Sequence, residues 1–359
     1  MPRRLDLSVP LLAGACGLSL ACSGKSDDEA ACPDGIIAIV GTAEWSTLEG
    51  AMGNVGPGAD IEVELCPGRF DSRTAIFEPG GGWDRIIIRG HPDGTILDGE
   101  GQGSVIDLEG NGTVELRDLA IVNGYADNGG GGYRGRGNQL LILDNVRFEG
   151  NEAPKDGGAV RLFAEEDGSV LIEDGTSGNV RFVDNHAGGN GGAISLSGAV
   201  FGSFSPGSWV FEGNSAGVNG GAVSVEGGAE AGMFGDFVAT GNAAGADGGA
   251  IYVDAPSAVG LSLGRIDASD NRAGGLGGVV RLARQNAGGL TVSSGQLDDN
   301  QAAAGAAFSM ASGWSLNVSA TAMSGNIPDD VEYGGETYGA AELGSTFTCQ
   351  PDQGCVGGR

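Results

Sequence analysis

Apolar residues along this chain recur in pairs two positions apart. Leu141 and Leu143, Val146 and Phe148, and Val160 and Leu162 form one such set. Leu261 and Leu263, Ile266 and Ala268, and Val280 and Leu282 form another, and Leu290, Val292 and Leu297 begin a third. A period of two is the mark of a strand with one buried face. Gly, Asn, Asp and Ser separate the runs, which breaks the chain into short strands joined by turns. No interval leaves room for a helix of useful length.

The runs belong to a repeat. Five segments align without gaps: FEGNEAPKDGGAV, FVDNHAGGNGGAI, FEGNSAGVNGGAV, ATGNAAGADGGAI and ASDNRAGGLGGVV. Each carries an Asn, an Ala two residues on, and Gly-Gly six and seven residues on. The Asn residues are Asn151, Asn185, Asn214, Asn242 and Asn271, spaced by 34, 29, 28 and 29. Gly124 extends the register before them, and Asn300 and Asn326 after them. Periods of this size mean stacked units, each burying its neighbour's apolar face. Three short strands per coil of about 29 residues predict a single-stranded parallel β-helix with coils roughly 4.8 Å apart. The longer interval before Asn185 predicts a five-residue bulge around Glu173–Ser177.

Those five Asn residues predict a structural corner ladder. Asn tolerates left-handed backbone, and its amide can bond its equivalents above and below. Asp156, Asn190, Asn219 and Asp247 form a second ladder five residues later. The Gly pairs, such as Gly220-Gly221, give backbone freedom and close stacking. They are not phosphate-binding loops, because no helix follows and no Lys is placed to reach a phosphate.

Phe-x-x-Asn followed by Gly-Gly-Ala-Ile/Val resembles the repeats of bacterial polymorphic outer-membrane proteins. The match is clear over 148–282 and extends more faintly over about 114–326. The resemblance implies a right-handed parallel β-helix, surface exposure and a part in adhesion. The chain departs from that family in being short and in ending CQPDQGCVGGR, with no alternating strands of a membrane barrel.

The two ends read differently. Arg3, Arg4 and the apolar stretch Leu7 to Leu20 form an export signal, with small residues before Cys22. This resembles a bacterial lipoprotein signal over residues 1–21, with Cys22 as the lipidation site and 22–34 as a tether. Ser19 stands where that family usually has Leu, Cys16 is a second candidate, and an ordinary cleaved signal is the alternative. Ser23 after the Cys implies outer-membrane sorting, at the cell surface or the periplasmic face. Thr42 to Met52 places Trp45, Leu48 and Met52 on one helical face, a short cap over the open end of the core. The β-helix is expected over 35–326, starting with Ile61, Val63 and Leu65, and 327–359 is expected to be a C-terminal cap or tail. Cys32, Cys66, Cys349 and Cys355 lie in two end clusters. For an exported protein this suggests Cys32–Cys66 and Cys349–Cys355 disulfides, though proximity alone leaves the other two connectivities open. Zinc is the rival, but no Cys-x-x-Cys occurs and there are only two His.

Charge narrows the partners. With 19 basic and 47 acidic residues the formal net charge is −28, which repels nucleic acid and anionic lipid. Membrane contact is then expected only through the lipid anchor. Gly is abundant (71 residues) but does not recur every third position, which excludes collagen. No apolar run reaches 18 residues, which excludes a spanning helix.

Chemistry is sparse. Many parallel β-helices are polysaccharide lyases or glycoside hydrolases, which need facing carboxylates or a base opposite grouped acids. The acids on offer are Asp298 with Asp299, Asp267 with Asp270, and Asp184. His91 and His186 read as turn and corner residues, and only two Lys exist, Lys25 and Lys155. No catalytic constellation emerges. A stripe of Asp184, Glu212, Asp270 and Asp299 is a calcium candidate, with plain solubility as the alternative. No other cofactor is indicated. The outward positions after Gly-Gly are the candidate binding face: Arg161, Phe163, Ser195, Ser224, Tyr252 and Arg281. These planar, polar and partly aromatic positions suit contact with a glycan or a surface protein, with a plain solvated face as the alternative. The function expected is a non-catalytic, adhesin-like binding module. A β-helix enzyme and a mere structural spacer are the alternatives.

Overall fold

The computed structural model describes residues 32, 37–53, 57–164, 169–175, 179–227, 230–254, 260–284 and 288–358. Cys16, Cys22 and the whole export signal lie outside them. The described chain is a β-solenoid of about 8 turns with about 28 residues per turn, and it has two single-turn helices. It is the expected parallel β-helix. Strands of successive coils pair in parallel and in register, for example Val160↔Ile194, Ile194↔Val223 and Val223↔Ile251.

Most coils are cut differently from the three-run expectation. The first two runs join into one long strand in Gln139–Glu149, Gly260–Ser269 and Gly289–Asp298, but stay apart as Ser169–Asp174 and Asn179–Val183 and as Ser315–Val318 and Thr321–Ser324. Next comes a two-residue strand just past the Asn. Five of these, from Glu152–Ala153 to Arg272–Ala273, make a sheet of their own. The third is the short strand after Gly-Gly, such as Val160–Phe163 or Val223–Glu226. Of the predicted bulge, Glu173 and Asp174 stay in their strand opposite Ile142 and Leu143, and 176–178 lie outside the described residues.

Inward residues stack like on like. Phe148, Phe182 and Phe211 lie 5.0 and 5.1 Å apart between ring centroids. The next residue in that column is Ala239. Its missing volume is filled from the adjacent column, where Phe237 packs 5.0 Å from Phe211. Such aromatic contacts add roughly 0.5–1.5 kcal/mol each beyond area burial.

The corner differs from expectation in one respect. The left-handed residue is the one before each Asn: Gly150, Asp184, Gly213, Gly241, Asp270, Asp299 and Gly325, with φ between 51° and 66°. The Asn itself is fully buried from Asn151 to Asn300. Its Oδ1 accepts two bonds from the preceding Asn, one from the backbone N–H at 3.0 Å and one from Nδ2 at 2.9 Å. Its own Nδ2 also donates to a backbone carbonyl, as Asn214 does to Phe182 O at 3.0 Å. This pattern links Asn151, Asn185, Asn214, Asn242, Asn271, Asn300 and Asn326 without a break. The second ladder is present too: Asn190, Asn219 and Asp247 each donate a backbone N–H to the side chain one coil before. Gly220 turns with φ 65°. A methyl group on Gly221 would overlap the Gly249 carbonyl, so neither tolerates a side chain.

Both ends are closed by antiparallel pieces. Ala38–Val40 pairs with Ala43–Trp45 and with Asp60–Leu65. The helix spans only Leu48–Ala51, and its N-cap is Thr47, whose Oγ1 accepts from Gly50 N at 3.0 Å. The expected start at Thr42 is wrong, because Ala43–Trp45 is taken into the sheet. Leu48, Ala51 and Met52 are buried over the first coil. At the other end Val331–Tyr333 continues the parallel stack. A hairpin of Phe347–Gln350 and Gly354–Gly357 then lies antiparallel on Ser315–Val318. Disulfides Cys32–Cys66 and Cys349–Cys355 tie down these two ends.

Candidate functional site

The short strands after Gly-Gly alternate, so that Ile194 and Leu196 point into the core while Ser195 and Ser197 point out. Because the coils are in register, the outward residues form two columns. One runs Arg134, Arg161, Ser195, Ser224, Tyr252, Arg281, Ser309, Glu332. The other runs Arg136, Phe163, Ser197, Glu226, Asp254.

At the N-terminal end of this row three guanidinium groups surround one ring. Arg134, Arg136 and Arg161 lie 5.6, 5.4 and 5.0 Å from the centroid of Phe163. Each also faces a carboxylate: Arg134 with Asp107 at 3.0 Å, Arg136 with Glu109 at 2.8 Å, Arg161 with Asp156 at 3.5 Å. Arg161 further donates to the Asn128 carbonyl. Sequence reasoning missed Arg134 and Arg136, because their coil lacks the Asn. The signal was Tyr-Arg-Gly-Arg directly after a Gly run. At the other end Arg281 is held by Ser309 Oγ at 2.7 Å and Glu332 at 3.4 Å. That guanidinium braces the last coils.

The middle of the row departs from a plain solvated face. Ser195 is 5% exposed, Ser224 0% and Tyr252 9%. They point away from the core and are nonetheless covered. Ser197, Glu226 and Asp254 are half-buried. Burial, and after it the Asp156 carboxylate, pushes the Glu226 carboxyl up. Burial together with Asp254 and Glu226 pushes Tyr252 up to about 12. Burial lowers Arg161. The row therefore offers fixed cations, a phenol held neutral and a carboxyl biased toward its protonated form. Such an array suits hydrogen bonding to a polar partner.

The other candidates do not converge on one place. Asp184, Asp270 and Asp299 occupy the left-handed corner position, and Glu212 pairs with Arg181 at 3.0 Å. No group of three or more His, Cys, Asp or Glu among the described residues is placed to hold a metal. Asp298 accepts from Ser324 Oγ at 2.5 Å, and Asp267 pairs with Arg265 at 2.8 Å. His186 Nδ1 is 2.8 Å from Ser215 Oγ on the two-residue sheet.

With this architecture in place, one comparison decides what the units are. The family model of the Chlamydia polymorphic membrane protein repeat matches residues 179–197 and 210–226. Those two segments are similar to polymorphic membrane protein repeats. The two matched segments run from just before Asn185 and Asn214 to the ends of the short strands that follow. Each thus contains one Phe of the inward column, one corner Asn and two outward positions, Ser195 and Ser197 in the first and Ser224 and Glu226 in the second. No curated protein and no solved structure matches the chain. The polymorphic membrane protein repeat and the β-helix together point to a surface or outer-membrane protein. No helix among the described residues is long and apolar enough to cross a membrane.

Proposed function

We propose that this protein is a non-catalytic, adhesin-like module of the cell surface, held by a lipid on Cys22 and binding a glycan or a surface protein through its outward row. One observation carries the reading. In coil after coil the Asn corner keeps its residue, while the outward row changes from Arg to Ser to Tyr at one backbone register. A register that the coils do not restrict to one residue type is where a partner can be read, and Arg and Tyr are strong contributors at interfaces. Neither nucleic acid nor a metal is part of this proposal.

The test is a glycan and protein array probed with the purified chain from Cys22 onward. It is run beside an assay for unsaturated or reducing sugar products. Binding should fall by about tenfold or more in an Arg161→Ala, Tyr252→Ala double variant, a loss on the order of 1.4 kcal/mol. Depolymerisation of a polysaccharide by the wild type would replace this reading with an enzyme. For the anchor, Cys22→Ser should release the protein from membranes, and unchanged palmitate labelling in that variant would refute lipidation.

A further inference from the structure

A cleft of about 320 Å³ opens on a different side of the solenoid. It lies at the lower end of the range for small-ligand sites. It is built by unequal corners in successive coils. Arg117 and Ala120 enclose two residues, whereas their register partners Arg89 and Ile96 enclose six. In the next coil Leu143 and Val146 again enclose two residues. Two tight corners thus lie beside a long one. The tight corners turn through left-handed Asp118 and Asn145, joined by an Asn145 Nδ2 bond to Asp118 Oδ1 of 2.8 Å. The long corner raises His91 and Pro92 as one wall, fixed by Thr95 Oγ1 on His91 N at 2.8 Å. Arg147 and Arg181, partners in adjacent coils, form the other wall. Between them the outward column runs Ile96, Ala120, Arg147, and the small Ala120 leaves the floor low.

The chemistry of the lining selects a ligand. Arg147 pairs with Glu149 at 2.9 Å and Arg181 with Glu212 at 3.0 Å, while Asp118 adds a further acceptor. Glu149 and Glu212 lie outside the lining but neutralise the two guanidinium groups that are in it, and the chain as a whole has a net charge of −28. An anion would meet guanidinium groups that are already paired. A sugar hydroxyl donates and accepts at once, and adjacent hydroxyls match a guanidinium beside a carboxylate. Pro92, Ile96 and Ala120 offer an aliphatic floor to the C–H face of a ring. Four coils at about 4.8 Å span about 14 Å, which suits a short linear ligand. We propose that this cleft binds a short neutral oligosaccharide. The site is separate from the outward row and does not depend on it.

Saturation-transfer NMR on the chain from Cys22 onward tests this with cellotriose, maltotriose, tri-N-acetylchitotriose and trigalacturonate as probes. At least one neutral trisaccharide should receive magnetisation, and trigalacturonate should not. Ala120→Trp fills the floor from the outside and should abolish the signal. Arg147→Ala with Arg181→Ala should weaken it about tenfold or more, a variant that leaves every inward side chain in place. Arg161→Ala with Tyr252→Ala should leave it unchanged, which separates failure here from failure of the outward row. Silence from all three neutral sugars, transfer that survives in both cleft variants, or tighter binding of trigalacturonate would overturn the proposal.

Discussion

Asn214 and Ser224 sit ten residues apart in one coil, and both are fully buried. Their surroundings differ in kind. Asn214 exchanges four hydrogen bonds with two neighbouring coils through its side chain alone. Ser224 makes one, to Glu226 in its own strand, at 3.3 Å. The residues above and below Asn214 are again Asn, while those beside Ser224 are Ser195 and Tyr252. Burial by itself does not dictate the residue. What dictates it is whether the side chain completes the backbone bonding of another coil. Where it does, the position repeats; where it does not, the position varies, and a solenoid gains a surface on which binding can be written.

This contrast gives graded expectations. The largest effect belongs to Asn214→Ala. It leaves Asn185 N and the Phe182 carbonyl without their side-chain partners in a dry corner, at about 1–3 kcal/mol for each unsatisfied group. The total should be about 3–5 kcal/mol, read as a drop in the urea midpoint. Arg281→Met comes next, at about 1–3 kcal/mol, since it strips a buried carboxylate, Glu332, of its guanidinium. A loss below 0.5 kcal/mol would show that the outer network does not brace the last coils. Ser224→Ala should change stability by less than about 1 kcal/mol, despite burial equal to that of Asn214. The smallest effect is one of pH. Glu226 has its folded pKa raised, so its contribution is fully present below the unfolded value near 4.3 and fades as pH rises through the folded one. Glu226→Gln, which cannot ionise, should therefore gain on the wild type as pH rises above the unfolded value of about 4.3. A difference that stays constant as pH rises would place Glu226 in water.

Much of this was legible in the residues. The spacing of Asn151 to Asn271 and the paired apolar positions specify a stacked β-helix, because the corner ladder needs an Asn and the core an apolar pair in each coil. The two disulfides are the pairing that the end clusters suggest, although proximity alone left two other connectivities open. What stayed hidden depends on neighbours in space. Asp184 and Asp270 look like a metal stripe in sequence, yet they serve as the left-handed residue before the Asn. Ser195 and Ser224 are outward by alternation, but alternation does not report what covers them. Arg134 and Arg136 lie ten and twelve residues after Gly124, in the weak copy that has Gly in place of the Asn, outside the five aligned segments. The cleft at His91 and Arg147 arises from corner lengths in coils far apart in sequence, which no single repeat displays.

The claim that side chains of the corner complete the backbone of adjacent coils has a direct measurement: amide hydrogen exchange at Asn185. Its N–H donates to Asn214 Oδ1 at 3.0 Å. In the wild type this amide should exchange only through global unfolding. In Asn214→Ala, under conditions where the solenoid remains folded, its protection should collapse while the paired amides of Ile194–Ser197 keep theirs. Ser224→Ala should leave both sets untouched. Unchanged protection at Asn185 in the Asn214→Ala protein would contradict the account.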